Sequence, residues 1–371
     1  MTGFLGTRMN RMLKQEIDTP ALLIDLDLMG KNIETLAGFF RGKTGKDFRP
    51  HYKTPKSPFL AAKQIESGAI GISCQKLGEA ETLITAGITD VLITNEIVGD
   101  YKIQRLISLR RHAPGLMVCV DNVIPAKALS EEALKRGVKM PVLVDVNVGQ
   151  NRCGVEPGRS AVEFATKVSK LKGLELKGFQ CYHGTLQVWD QRYGMEAKRQ
   201  EMEKCNSLIV ETRELMEAAG LNTEIVSGAG TGTYKWQYPV MTEVQAGSYI
   251  LMDWKYHITA NEFERALTVL TTVISTPAPN RSIVDAGYKA ASTDSGMPIL
   301  KDVEGYTYET AGDEHGVLTW EEPSRELGIG EKLELYPSHC DTTINLYDTY
   351  YGIRHGEVED TWPITARGKS Q

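Results

Sequence analysis

Three groups of residues in this 371-residue chain have types and spacings that could do chemistry. The first is Lys53, within Asp47-Phe48-Arg49-Pro50-His51-Tyr52-Lys53-Thr54-Pro55-Lys56. Phe48 and Tyr52 favour a strand and Thr54-Pro55 a turn, and a helical run Pro58–Glu66 follows, so the amine falls at a strand's carboxyl end. Alone it reads as an ordinary solvated lysine; in a pocket it is a carbonyl nucleophile. The second group is Ser227-Gly228-Ala229-Gly230-Thr231-Gly232-Thr233, whose glycines admit close backbone approach to an anion and whose hydroxyls add donors. The third is Pro337-Ser338-His339-Cys340-Asp341. In an extended chain His339 and Asp341 share a face and offer nitrogen and oxygen to a hard divalent ion such as Mn²⁺ or Mg²⁺. His183 and Asp313-Glu314-His315, the latter equally well a turn, are further candidates for that neighbourhood.

The elements that must position these groups repeat. Apolar, strand-like runs occur at 48–53, 69–74, 90–95, 116–121, 141–147, 176–182, 223–227 and 243–250. Helical patterns separate them at Pro58–Glu66, 77–86, 102–111, 126–135, 160–171 and 196–219. Nearly all-apolar strands between helices imply a parallel sheet covered on its outside. Eight such strands over about 200 residues fit an α/β fold of the (β/α)8 TIM type. A doubly wound open sheet is the runner-up, because periodicity does not show closure. A strand at 21–27 and a helix at 29–40 stand at the head of this segment, assigned to 17–254, behind a leader whose amphipathic piece at 8–16 could pack on another domain.

Past residue 255 the texture changes to short strands and turns at 267–275, 281–285, 316–320, 332–335, 343–347, 349–354 and 356–361. This is the pattern of a second, mainly antiparallel β domain over 255–371, and it carries His339 and Asp341. Barrel chemistry sits just past the strands' carboxyl ends, where Lys53, Gln75, Arg152, Tyr182, His183 and the 227–233 loop lie. Asn95, Asp121 and Asn122 are there too and read as helix caps. A phosphate cradle and a strand-end lysine in one barrel mouth are the two ends of a pyridoxal phosphate site. The lysine forms the Schiff base, the loop holds the phosphate, and Arg152, Tyr182 or Gln75 is placed to contact the ring.

Composition narrows the class. The chain is 41% hydrophobic and 24% charged, as expected of a globular protein with one large or two medium domains. No apolar run is long enough for a membrane span or a secretory signal, so the expectation is a cytoplasmic protein. The six cysteines show no CxxC pairing, which excludes a zinc ribbon and suggests reduced, buried thiols. A net charge of -6 without a basic block argues against nucleic acid as partner.

Taken together, Arg49-Pro50-His51-x-Lys53, Ser73-Cys74-Gln75-Lys76, Gln150-Asn151-Arg152-Cys153-Gly154-Val155, Tyr182-His183-Gly184, the 227–232 loop, Gln245-Ala246-Gly247-Ser248-Tyr249, Asp285-Ala286-Gly287 and Ser338-His339-Cys340-Asp341 carry a family resemblance. From about residue 17 to Gly368 the chain resembles the D-threonine aldolase and 3-hydroxy-D-aspartate aldolase family, fold-type III pyridoxal phosphate enzymes similar in architecture to alanine racemase. The resemblance implies that Lys53 is the Schiff-base lysine and that Arg152 and Tyr182 lie near the ring. It also implies that Ser227, Gly228, Gly230, Thr231 and Gly232 belong to the phosphate loop, that His339 and Asp341 bind the divalent metal, and that His183 stands by the substrate hydroxyl. It departs at Pro55, where the family often has His. Related D-serine dehydratases carry the metal pair as His-x-Cys with zinc; the carboxylate of Asp341 favours a harder ion and the aldolase branch.

The expected reaction is retro-aldol cleavage of a β-hydroxy-D-amino acid to glycine and an aldehyde, with a homodimer expected on the same grounds. A dehydratase acting on D-serine or 3-hydroxyaspartate keeps the cofactor and changes the chemistry. A catalytically silent pyridoxal phosphate carrier is the reading from another class, and the metal pair argues against it.

Overall fold

Pro50 has no N–H to give to a ladder, and this explains why the first barrel strand is so short. In the computed structural model, which describes residues 12–43, 45–323 and 325–371, that strand is only Asp47–Phe48. The pairing resumes around the proline, where Arg49 N donates to Val244 O at 2.8 Å and His51 N to Ala246 O at 3.0 Å. The part of the 8–16 piece that precedes residue 12 lies outside the described residues.

In chain order the strands are β1 (Ala21–Asp25), β2 (Asp47–Phe48), β3 (Ile72–Cys74), β4 (Val91–Glu96), β5 (Met117–Val120), β6 (Met140–Asp145), β7 (Leu174–Cys181), β8 (Ile225–Gly228) and β9 (Glu243–Val244). They continue as β10 (Leu267–Ala278), β11 (Arg281–Val284), β12 (Ile299–Leu300), β13 (Tyr306–Thr310), β14 (Gly316–Trp320), β15 (Lys332–Tyr336), β16 (Thr349–Arg354) and β17 (Glu357–Pro363). Strands β2 to β9 form one parallel sheet in the order β2-β9-β8-β7-β6-β5-β4-β3. Its two ends meet: His51 bridges Ser73 in parallel, Ser73 N donates to Pro50 O, and Tyr52 N donates to Ser73 O at 2.7 Å. The barrel therefore closes at the residues leading to Lys53, and the open-sheet alternative falls.

Helices cover the outside. Leu26–Phe40 buries Met29, Ile33, Leu36, Ala37 and Phe40, one stripe at helical spacing, and Asp25 caps it by accepting from Asp27 N and Leu28 N. Pro58 opens Pro58–Glu66, where a missing N–H costs nothing. Asn122 caps Val123–Lys135, as its type suggests.

The second sheet runs β13-β14-β11-β10-β1-β16-β17, with β15 also on β10 and β12 on β15. All its pairings are antiparallel except β1 with β16. β1, which its sequence position puts at the head of the barrel segment, lies in this sheet. Both its faces are covered: Leu22 and Ile24 join the main core, while Ala21 and Leu23 pack with Leu270. A run buried on both sides fits any central position, and periodicity does not name its neighbours. The strand expected at 343–347 is instead the end of a helix, Cys340–Ile344, burying Cys340, Thr343 and Ile344 at i, i+3 and i+4. Threonine and isoleucine favour strands, but here that spacing decides.

The barrel interior is polar at its amino end. Arg49, buried, holds the equally buried Glu243 through Nε at 3.1 Å and also pairs with Asp90. Removing one partner of a buried pair strands the other charge. Arg49→Met is expected to cost about 3–5 kcal/mol in denaturant unfolding. A loss below about 1 kcal/mol would show that the pair does not hold the barrel.

Candidate active site

The barrel's carboxyl end opens into a cavity of about 340 Å³. Its wall carries Lys53, Gln75, Arg152, Tyr182, Gly230, Thr231 and His339. These residues come from five places in the barrel and one in the second domain, so the cavity is a shared feature of both.

Lys53 sits in the turn after β2 and its ammonium contacts the Asp341 carboxylate; Thr54 Oγ1 donates to the other oxygen at 2.6 Å. Asp341 holds Lys53 protonated, overcoming burial, which acts the other way. Burial also opposes the Asp341 carboxylate. The Lys53 ammonium, His339 and hydrogen bonds from Lys53 and Thr54 nevertheless keep its pKa well below the carboxylate range. The turn is tied further to the second sheet: Tyr350 Oη donates to Pro55 O at 2.9 Å and Ala366 N to Lys56 O at 3.1 Å.

His339 and Asp341 are not on a strand. His339 is the extended N-cap residue of Cys340–Ile344, and Asp341 lies in its first turn. Asp253, buried, accepts Cys340 N at 3.0 Å and Tyr256 N at 2.7 Å, which fixes where that helix begins. His339 Nδ1 lies 2.7 Å from Asp294 Oδ2, leaving Nε2 to offer a cation. Burial raises the pKa of Asp294, yet hydrogen bonds with His339, Ser292 and Thr342 win and hold it at about 2.

His51, beneath the cavity, joins Thr94 Oγ1 at 3.0 Å, and Thr94 Oγ1 in turn reaches Gln75 Oε1 at 3.2 Å. Burial first, then the Lys53 ammonium, push the His51 imidazole down to about 3, so it is neutral at physiological pH. His51, Thr94, Gln180, Gln187, Gln245, Gly247, Ser248 and Tyr256 also line the cavity and were not singled out from sequence. His51 and Ser248 stand inside motifs already noted; Gln187 and Tyr256 come from short helical loops that leave no periodic signal.

The glycine loop contributes less than its spacing suggests. Gly230 and Thr231 line the cavity, together with Gly247 and Ser248 past β9. Ser227 belongs to β8, where its buried hydroxyl donates to Glu243 Oε1 at 2.7 Å and accepts from Gln245 Nε2 at 2.8 Å. Gly228 is also in β8, and a Cβ there would stand 2.3 Å from Cys181 O, so its glycine is a packing need. Gly232 N donates to Gln187 Oε1 at 2.9 Å. His183 is buried between two wall residues, Tyr182 and Gly184, but is not itself on the wall. Its Nδ1 faces Thr185 Oγ1 at 3.1 Å, and a Cβ on Gly149 would approach its Nε2 to 2.7 Å. Burial lowers its pKa, which favours the neutral, proton-accepting form.

Behind Arg152 lies an acidic group. Glu96, Asp121 and Cys153 bring ligand atoms within 4.8 Å of one another, and among the described residues they are the one such trio of metal-ligand types. Burial, then Asp145 and Asp121, raise Glu96 from 4.5 to about 7, and burial first raises the Cys153 thiol to about 11. Burial and the neighbouring carboxylates favour the protonated forms of Glu96 and Cys153. Asp313-Glu314-His315 are exposed, and Lys289 Nζ pairs with Glu314 at 2.6 Å, so that stretch is a solvated turn.

A family model described as alanine racemase, N-terminal domain, matches residues 24–254, and one described as putative serine dehydratase domain matches 266–353. A 3-hydroxy-D-aspartate aldolase of Paracoccus denitrificans (strain Pd 1222) is 38% identical over 370 residues, covering 96% of this chain and 94% of that protein. The chain belongs to the D-threonine and 3-hydroxy-D-aspartate aldolase family. A D-threonine aldolase of Arthrobacter sp is likewise 38% identical, with 96% and 94% covered. The crystal structure of D-threonine aldolase from Filomicrobium marinum superposes with a TM-score of 0.91 at 38% identity, covering 96% of this chain and 98% of that one. The aldolase family and the alanine racemase-like architecture read from sequence both hold. No described helix is long and apolar enough to cross a membrane.

Glu96 gives a pH signature. Its folded pKa is raised, so the folded state binds the extra proton between 4.5 and about 7 and loses stability as pH rises through that window. Glu96→Gln is expected to show a higher Tm than the unsubstituted protein at pH 8, with the difference gone by about pH 4.5. Equal values at pH 8 would show that no proton is held there.

Proposed function

We propose that this chain is a metal-activated, pyridoxal phosphate-dependent lyase that cleaves β-hydroxy-D-amino acids, of the D-threonine or 3-hydroxy-D-aspartate type, to glycine and an aldehyde. One observation carries the reading. Lys53 and Asp341, separated by 288 residues of chain, are hydrogen-bonded, with His339 on the wall of the same cavity. A candidate carbonyl nucleophile and a candidate metal pair thus stand within reach of one small molecule.

The residues present fit both groups. Lys53 would hold the aldehyde cofactor, with Gly230, Thr231, Gly247 and Ser248 at its phosphate and Gln75, Arg152 and Tyr182 about its ring. When bound, the cofactor supplies an electron sink for the charge left on Cα. His339 and Asp341 would hold a divalent ion, Mn²⁺ or Mg²⁺ by the hardness of the carboxylate. That ion supplies a Lewis acid for the β-oxygen. The neutral His51 adds no charge to the cavity wall, and Arg152, packed over the Tyr182 ring, is a second cation there that would meet an anionic group of the substrate or cofactor. His183, neutral through burial, is our acceptor for the β-hydroxyl proton.

The dehydratase reading needs a soft thiolate beside the histidine. Cys340 does not supply one: it is fully buried, and burial raises its thiol well above the ordinary range. The oxygen ligand at 341 supports cleavage over elimination. A homodimer belongs to the same reading on the ground of family likeness, and a cytoplasmic location on the sequence expectation that no secretory signal is present.

With D-threonine and Mn²⁺, glycine and acetaldehyde are the expected products, and a chelator should abolish their release. Pyruvate-type 2-oxo acids with ammonia would instead establish the dehydratase. His339→Ala and Asp341→Ala should each lower kcat at least a hundredfold while the cofactor's absorbance persists; full activity in either variant after chelation would end the metal role. His183→Ala is expected to lower kcat by about 10²–10⁴. A smaller than tenfold loss would remove it as the base.

A further inference from the structure

Asp294 is not a residue of the cavity wall, yet its carboxylate collects four donors. His339 Nδ1, Thr342 Oγ1 and Ser292 Oγ each lie 2.7 Å from one of its oxygens, and Ser295 Oγ lies at 3.3 Å. The short segment bearing Asp294 is also stitched to the chain around His339 by other bonds. Ser338 Oγ donates to Gly296 O at 2.7 Å, and Ser292 N donates to Thr343 Oγ1 at 3.2 Å. On the barrel side, Lys255 Nζ donates to Ser295 O at 2.7 Å. Residues 292–296 thus grip the segment 338–343 at Ser338, His339, Thr342 and Thr343.

The bland alternative is a surface ion pair. The side chains of His339 and Asp294 are 32% and 42% exposed, and exposed pairs contribute little to stability. Three features set this one apart: the carboxylate is held from several directions at once, the ring it faces stands on the cavity wall, and the contact is made by Nδ1. An imidazole whose Nδ1–H is taken by a carboxylate has its tautomer and ring plane fixed, with Nε2 unprotonated and more basic.

We propose that Asp294 is the positioning residue of the metal centre: it orients His339 through Nδ1 so that Nε2 is presented to the divalent ion, with Thr342 and Ser292 holding the carboxylate in place. The inference rests on the proposed metal pair His339 and Asp341. It adds to that pair a carboxylate that touches neither substrate nor metal.

The test is Mn²⁺ affinity of the pyridoxal phosphate-loaded enzyme, read by the electron paramagnetic resonance of free Mn²⁺, with cofactor absorbance and Tm as controls on folding. Asp294→Ala should weaken Mn²⁺ binding by about 10–100-fold with absorbance unchanged. Asp294→Asn, whose amide oxygen still accepts from Nδ1–H but carries no charge, should fall between, several-fold weaker than the unsubstituted enzyme. Affinity within twofold of the unsubstituted enzyme in Asp294→Ala overturns the proposal; should that variant not fold, the same outcome in Asp294→Asn overturns it. His339→Ala and Asp341→Ala separate the two levels. If they retain Mn²⁺ affinity, the metal pair itself is wrong; if they lose it while the Asp294 variants keep it, only the role of Asp294 fails.

Discussion

The turn from Tyr52 to Lys56 has more polar groups than its own strand can satisfy, and the second domain satisfies them. Asp341 takes the Lys53 ammonium and the Thr54 hydroxyl, Tyr350 donates to Pro55 O, and Ala366 N donates to Lys56 O. A buried carbonyl or ammonium left unpaired costs more than a formed hydrogen bond returns, so these contacts fix the seam between barrel and sheet. The family often has histidine at the position of Pro55. Here the proline gives up an N–H that the turn does not use and presents a carbonyl that Tyr350 does.

That seam explains why β1 crosses to the second sheet. Its carboxyl end, Asp25, caps the first barrel-covering helix, while its body pairs with β10 and β16. From that helix Asn32 reads both backbone groups of Glu264, donating to its O at 2.7 Å and accepting its N–H at 2.6 Å. One strand and one helix therefore tie the start of the chain to the segment entering β10. The barrel is joined to the sheet by covalent continuity as well as by the Lys53 turn.

Much of this was legible in the sequence, for a physical reason. Parallel barrel strands are buried on both faces, so the eight runs from 48–53 to 243–250 stand out as apolar against helical spacing, and Pro58 and Asn122 mark helix starts, whereas Asn95 ends up inside β4 and Asp121 accepts Gly154 N instead of capping. Lys53, Gln75, Arg152 and Tyr182 were found because strand ends are where such folds place side chains toward a mouth. What escaped were partners set by long-range contact. Gln187 and Tyr256 stand on short loops, Asp294 lies in the loop before β12 and outside the barrel, and the sheet position of β1 depends on strands more than 240 residues away. In the glycine loop, a glycine needed for strand packing, as at Gly228, has the same letter as one needed by a ligand. His339 and Asp341 lie on a different element from the one expected, since Thr343 and Ile344 favour strands until Cys340 is seen to share their buried face.

The residues proposed for the reaction are also residues that hold the domains together. Lys53 raises no desolvation problem so long as Asp341 faces it, and Asp341 stays ionised because Lys53, Thr54 and His339 surround it. Substituting either one removes a chemical group and at the same moment strands an opposite charge in a half-buried site. Loss of activity in a single variant at this pair is therefore read beside the cofactor's absorbance, which reports whether the fold survived, and a charge-removing pair of changes at 53 and 341 together would spare the fold and abolish only the chemistry. A protein that places a candidate nucleophile such as Lys53 in the domain seam gains a preorganised cavity. It does so by making that cavity depend on the correct docking of two sheets, one of which takes its first strand from ahead of the barrel strands and the rest from behind them.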